Sequence, residues 1–224
     1  GALAPLRAGA APFELRLHRR YNPEGVTAYS VVPGLMGVIL TMTLVMMTAM
    51  AMTRERERGT LETLLATPVR PLEMMAGKIL PYVLIGYLQV LLVFAAARGL
   101  FEVPMAGSFA LLSAMVLLFI LATLTVGFTF STIARSQMQS MQMTLFYFLP
   151  NILLSGFMFP FRGMPGWAQV LGEVLPLTHF LRIVRGIMLK GAGWAELWPQ
   201  AAAMAAFLAV VGAVAMLRYR QTIE

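Results

Sequence analysis

From residue 30 to residue 52 the chain runs for 23 residues without a charged side chain, and then Arg54, Glu55, Arg56, Glu57 and Arg58 follow almost at once. A run of that length suffices for a helix to cross a bilayer, which takes about 20 residues. The charges behind it cannot sit in hydrocarbon, so they belong in water or against another protein. The same contrast holds for the whole chain, which is 59% hydrophobic and 12% charged. A water-soluble domain carries about 25% charged residues. The class is therefore integral membrane protein. The net charge of +7 fits anionic lipid headgroups, and no aromatic-interleaved basic patch suggests nucleic acid. The chain has no cysteine, which excludes disulfides and thiolate chemistry.

Further apolar runs recur along the chain, at about 79–97, 109–133, 141–159 and 196–217. With 30–52 they predict an all-α polytopic bundle of five transmembrane helices. Pro71 suits a helix start, and Lys78 can snorkel at the entrance of the second run. Ser113, Thr123, Thr125, Thr129 and Ser131 place hydroxyls along the third, where most are expected to bond their own helix carbonyls. Pro150 and Asn151 interrupt the fourth: proline removes a donor and asparagine is costly at that depth, so together they predict a kink with a local task. Residues 160–195 contain Pro160, Gly163, Pro165 and Gly166, then apolar pieces broken by Glu173, His179, Arg182 and Arg185. They read as short amphipathic helices in or dipping into the interface, with Trp167, Trp194 and Trp198 at headgroup depth. The alanine- and glycine-rich last run permits close helix approach.

Catalytic chemistry finds no residues here. Gly77 and Lys78 lack the leading glycine and following hydroxyl of a phosphate loop. There is no Ser/His/Asp or Cys/His set, and the uncharged runs supply neither an intramembrane active site nor a proton relay. His179 has no second histidine at ligand spacing and reads as a hydrogen-bonded residue. The methionines of the first run (Met36, Met42, Met46, Met47, Met50, Met52) read as flexible packing rather than soft-metal ligands. No catalytic, cofactor-binding or metal residue is assigned.

Between the first two runs, Leu61, Leu64 and Leu65 fall at i, i+3 and i+4, giving a short helix with one apolar face that Pro68 ends. By charge and periodicity alone this stretch is either a solvated loop with a surface helix or a docking element for a soluble partner.

Two stretches, in this order between these runs, resemble the type-2 ABC exporter permeases, the membrane subunits of ATP-driven export pumps. One is Glu57-Arg58-Gly59-Thr60-Leu61-Glu62-Thr63-Leu64-Leu65-Ala66-Thr67-Pro68, continuing to Gly77-Lys78. The other is Leu154-Ser155-Gly156-Phe157-Met158-Phe159-Pro160, with Met164-Pro165, Pro176-Leu177-Thr178-His179-Phe180 and Arg185-Gly186-Ile187-Met188-Leu189-Lys190-Gly191. Arg20-Tyr21-Asn22-Pro23-Glu24 before Val32-Pro33-Gly34 is similar to the subgroup with a large extracytoplasmic domain, and the likeness runs from about Tyr21 to the end. That family has six spans, the first preceding this domain, so the chain reads as a C-terminal portion. Residues 1–29 would then be a remnant of the extracytoplasmic domain, and 30–224 the transmembrane domain.

The resemblance implies that 54–67 is a cytoplasmic coupling element docking on a separate ATPase pair, which carries the ATP and magnesium. Glu57, Gly59, Thr60 and Glu62 would shape that contact, and Leu61, Leu64 and Leu65 would pack it. It implies extracytoplasmic re-entrant helices within 160–195. Pro150, Asn151, Ser155, Gly156, Phe157, Pro160, Pro165, Pro176, Arg185 and Gly186 would form the kink and the outer gate. It also implies a second permease chain, identical or not, surrounding lipid, and a bacterial inner membrane. The short, tight basic clusters at 54–58 and 218–220 favour the cytoplasmic side. The expected function is export of a hydrophobic or amphiphilic substrate. A non-transporting scaffold that uses 54–67 as a binding face is the alternative.

Overall fold

The computed structural model describes residues 27–59 and 71–223. Among them the chain is all-helical: α1 (Thr27–Glu57), α2 (Pro71–Gly99), α3 (Phe109–Ile133), α4 (Gln137–Leu154), a 3₁₀ turn (Phe161–Gly163), α5 (Gly166–Val174), α6 (Pro176–Lys190) and α7 (Trp194–Ile223). Among the described residues four helices are long and apolar enough to cross a membrane, within α1, α2, α3 and α7. The protein is a multi-pass membrane protein. The expected run at 141–159 corresponds to the shorter α4, whose opening turns carry Gln137, Gln139, Ser140 and Gln142 and which stops at Leu154.

The core is built on α1 and α3. Half of the most apolar stretch of each is buried, against 11% for α2 and 17% for α7. The two approach closely where Gly127 faces α1: a methyl added there would stand 2.7 Å from the Val45 carbonyl oxygen and 2.9 Å from Thr48 Cβ. α7 packs along α3, and α2 lies to one side against α1 and α3. Tyr87 of α2 donates its hydroxyl to the Ser113 carbonyl at 2.9 Å. As expected, Thr123, Thr125, Thr129 and Ser131 donate to carbonyls three or four residues back on α3, a local bond that satisfies a hydroxyl in an apolar setting.

The two short amphipathic helices behave in opposite ways. α6 turns its stripe Leu177, Phe180, Leu181, Val184, Ile187 and Met188 into the protein, where each is at most 1% exposed. Phe180 stacks on Phe119 of α3 with ring centroids 4.0 Å apart. α1, α3 and α7 cover the apolar face of α6. α5 does the reverse: Ala168 and Gly172 face inward, while Trp167, Val170, Leu171 and Val174 are exposed. Gly172 is what lets α5 approach, since a Cβ there would meet the Leu154 carbonyl at 2.6 Å.

Candidate coupling and gate elements

The charged segment begins as helix. α1 continues unbroken through Glu57, so Arg54, Arg56 and Glu57 occupy its last turns rather than a loop. Basic side chains are favourable there, at the negative end of the helix dipole. Gly59 closes the helix at φ +69, a left-handed conformation that costs glycine nothing, and its N–H donates to the Arg56 carbonyl at 3.2 Å. The expected coupling residues Thr60, Leu61, Glu62, Leu64 and Leu65 lie outside the described residues.

The end of α1 is tied to two other helices. Glu57 Oε1 accepts from the backbone N–H of Gln137 at 2.9 Å, and Oε2 accepts from the Gln137 amide at 2.5 Å. A carboxylate thus caps the start of α4, where N–H groups are otherwise unpaired. Arg56 Nη1 donates to the Thr132 carbonyl near the end of α3 at 3.3 Å. One turn deeper, Thr53 and Ser140 hydroxyls meet at 2.6 Å, both buried. Thr53 donates to the Ala49 carbonyl, so its single proton is committed and Ser140 is the donor between them. Ser136 starts α4 by accepting from the Gln139 N–H at 3.2 Å. Thr53, Arg56, Gln137 and Ser140 carry no local sequence signal for this junction, since partners 76 to 87 residues apart must first be folded together.

At the other end of α4 the expected kink residues lie inside the helix. The helix runs through Pro150 and Asn151 without a break, and the chain turns instead at Ser155 and at Gly156, whose φ is +83. Proline deletes only its own N–H bond, while the Asn151 side chain donates to the Tyr147 carbonyl at 2.8 Å. Asn151 and Ser155 are buried, and Asn151 Oδ1 and Ser155 Oγ find no hydrogen-bond partner among the described residues. The structure brings Gly156, Phe157 and Arg185 together: Arg185 Nη1 donates to the Gly156 carbonyl at 3.2 Å. Both Phe157 and Arg185 crowd α1 at Gly34, where an added Cβ would stand 2.7 Å and 3.3 Å from them. Burial pushes the Arg185 guanidinium down from its usual value, which still leaves it a cation at neutral pH.

Pro160 and Pro165 sit apart from that cluster. They line an apolar groove with Leu153, Leu154, Phe159, Met164 and Trp167. Pro176 opens α6 at its first turn, where a missing N–H costs nothing. Gly186 packs under Leu197 of α7. A polar network that sequence reasoning missed joins α5, α6 and α7. Arg182 holds both Glu173 carboxylate oxygens, at 2.9 and 2.6 Å, and stacks over the Phe161 ring at 4.6 Å. His179 bonds Gln200 and the Glu173 carbonyl. These hydrogen bonds from Arg182 hold the Glu173 carboxyl below its usual range.

The described residues form a bundle of apolar helices with a polar junction at the Glu57 end and a crowded turn at Gly156, the build of a helical membrane domain. Residues 4–217 match the family described as ABC-2 family transporter protein, and the chain belongs to that family. It is similar to the probable multidrug ABC transporter permease YbhR of Escherichia coli (strain K12), 31% identical over 94% of this chain and 57% of that protein. The inner membrane transport permease YhhJ of the same organism is 35% identical over 93% of this chain and 56% of its own length. The ABC transporter G family member 20 of Dictyostelium discoideum is 27% identical over 79% of this chain and 24% of its own. The chain spans little more than half the length of the two bacterial relatives. No solved structure matches it.

Proposed function

We propose that this chain is the membrane-spanning part of an ATP-driven exporter, paired with a second permease chain in a bacterial inner membrane. A separate ATPase pair supplies the ATP hydrolysis, and 54–67 receives its motion. The observation that carries the reading is the Glu57 junction: the charged end of α1 grips the start of α4 through Gln137 and the end of α3 through Arg56. A push on the segment after Gly59 therefore displaces three helices together rather than one.

The opposite end of α1 supports the same reading. Gly34 lies 23 residues before Glu57, or about 35 Å along a helix, and it is wedged against Phe157 and Arg185 beside the turn at Gly156. One rigid helix thus links the proposed coupling element to the proposed outer gate. The apolar character of the described helices fits a hydrophobic or amphiphilic substrate, and the resemblance of the bacterial relative named as a multidrug permease is consistent with that class.

The test is Glu57→Ala combined with Glu62→Ala in the protein expressed with its ATPase. The expected result is normal membrane insertion with export and substrate-stimulated ATP hydrolysis uncoupled. Normal export with unchanged ATPase association on pull-down would refute the proposal.

A further inference from the structure

The network at the junction of α5, α6 and α7 contains a histidine with an unusual set of neighbours. His179 is buried, with 9% of its side chain exposed. Its Nδ1 lies 2.7 Å from Gln200 Oε1, and its Nε2 lies 2.8 Å from the carbonyl oxygen of Glu173. A carbonyl can only accept, so Nε2 must carry a proton. The Gln200 amide could in principle present either end to Nδ1, but Arg182 Nη1 stands 3.4 Å from the same Oε1. Turning the amide over would set its NH₂ against a guanidinium, donor against donor. With the oxygen facing Nδ1, both ring nitrogens are placed to donate, an arrangement that an imidazolium satisfies in full.

The charges around it fit that state. From α5, the Glu173 carboxylate lies 4.0 Å from Nε2. From α6, Arg182 binds the far side of that carboxylate and is the one other charged group in the cluster. α7 contributes the neutral Gln200, with Glu196 exposed one turn earlier. α1 and α3 pack on α6 through uncharged groups, Gly37 against Phe180 and Phe119 against the same ring.

We propose that His179 is a proton-binding latch: its doubly protonated ring ties α5 to α7, and loss of one proton frees one of the two. Neutral imidazole has one donor for two acceptors, so either the Glu173 carbonyl or the Gln200 amide loses its bond from the ring, Gln200 then keeping only the longer contact from Arg182 at 3.4 Å. The Thr178 hydroxyl bond to the Gly172 carbonyl at 2.6 Å remains in both states, which makes the release a local loosening of the α5–α7 link rather than unfolding. The site then senses the pH of the compartment that these helices face.

The chain contains two histidines, so a His18→Gln background leaves one imidazole. That protein, ¹⁵N-labelled at histidine in lipid nanodiscs, is expected to show two protonated ring nitrogens at acid pH. Gln200→Glu, which sets a carboxylate against Nδ1, is expected to hold the second proton to higher pH. Glu173→Gln, which removes the neighbouring charge and keeps the carbonyl, is expected to release it at lower pH. Loss of the proton is expected to speed hydrogen exchange, corrected for intrinsic pH dependence, about fivefold in either the 166–175 or the 194–204 amides, the ratio that one hydrogen bond of typical net worth confers. A single protonated nitrogen throughout, a titration that neither variant moves, or exchange that stays level across it would each overturn the proposal.

Discussion

Replacing Gly127 by alanine tests the α1–α3 contact on which the bundle is built. The added methyl would stand 2.7 Å from the Val45 carbonyl oxygen, 2.9 Å from Thr48 Cβ and 3.2 Å from Val45 Cα. Two of these three atoms are backbone and cannot rotate away. Non-bonded carbons settle at about 3.5–4.0 Å, so the helices must separate by several tenths of an ångström along their contact. Overpacking of this kind costs about 1–3 kcal/mol, while alanine regains roughly 0.8–1 kcal/mol of helix propensity over glycine. The clash outweighs the gain except at its lower limit, and the net loss is about 0–2 kcal/mol, centred near 1. For a chain of this size a loss near 1 kcal/mol lowers the melting temperature by about 2–4 °C, read by thermal unfolding in detergent. Gly77→Ala on α2 is the control: nothing lies within 4 Å of the added methyl, so only the propensity gain remains and stability rises slightly. Equal shifts for the two variants would refute the argument, because it rests on the contact that only Gly127 makes.

Truncating Phe180 to alanine removes a fully buried ring stacked on Phe119 and is expected to cost about 3–5 kcal/mol, with Phe180→Leu losing less in the same unfolding assay. Glu173→Gln breaks the paired hydrogen bonds from Arg182. Both side chains are about a third or more exposed, so the loss at neutral pH is held to less than about 1 kcal/mol by solvent screening. The Glu173 carboxyl is lowered from 4.5 chiefly by the Arg182 hydrogen bond. Its contribution is therefore present above that value and disappears as pH falls through the lower folded one. Wild type and variant should converge in stability at acid pH, as followed by melting temperature against pH.

The spans were legible because a charge-free run of about 20 residues has few other uses. Where the helices end was less legible. α1 continues past residue 52 to Glu57 because Thr132 and Gln137 receive its polar last turn, and those partners are invisible to a reading of neighbouring residues. Pro150, the strongest local breaker, lies inside α4, and the helix ends at Leu154 before a turn at Gly156 rather than at about residue 159. One missing proline N–H is tolerated inside a helix that Asn151 reinforces from its side chain. The periodicity of 160–195 announced amphipathic helices, but periodicity cannot say what an apolar stripe faces. α6 and α5 carry similar stripes, and one is buried in protein while the other is exposed. The Glu173–His179–Arg182–Gln200 network was missed for the same reason: Glu173, His179 and Arg182 read one by one as interruptions, and Gln200 lies unremarked in the last apolar run.

α4 shows how membrane placement and polar contacts fit together. Its inward side carries Ser140, Thr144, Asn151 and Ser155, all buried, while Phe146, Leu149 and Leu153 are exposed. In water that distribution would be inside out, with apolar surface left bare and polar groups hidden. In a bilayer the outer face costs nothing, and small hydroxyl side chains let a helix approach its neighbours closely while giving them hydrogen bonds. Ser140 does this at the Glu57 end by bonding Thr53. Asn151 and Ser155, eleven and fifteen residues further on, repeat the polar side without the satisfied partners. The two ends of one helix thus differ in how firmly they are held. Under the proposed function, a bundle driven from the Glu57 junction would have a bonded end and, about 16 Å along α4, a polar end with bonding capacity to spare among the described residues. That asymmetry favours the Ser155–Gly156 turn, beside Arg185 and Phe157, as the point where the proposed gate would yield.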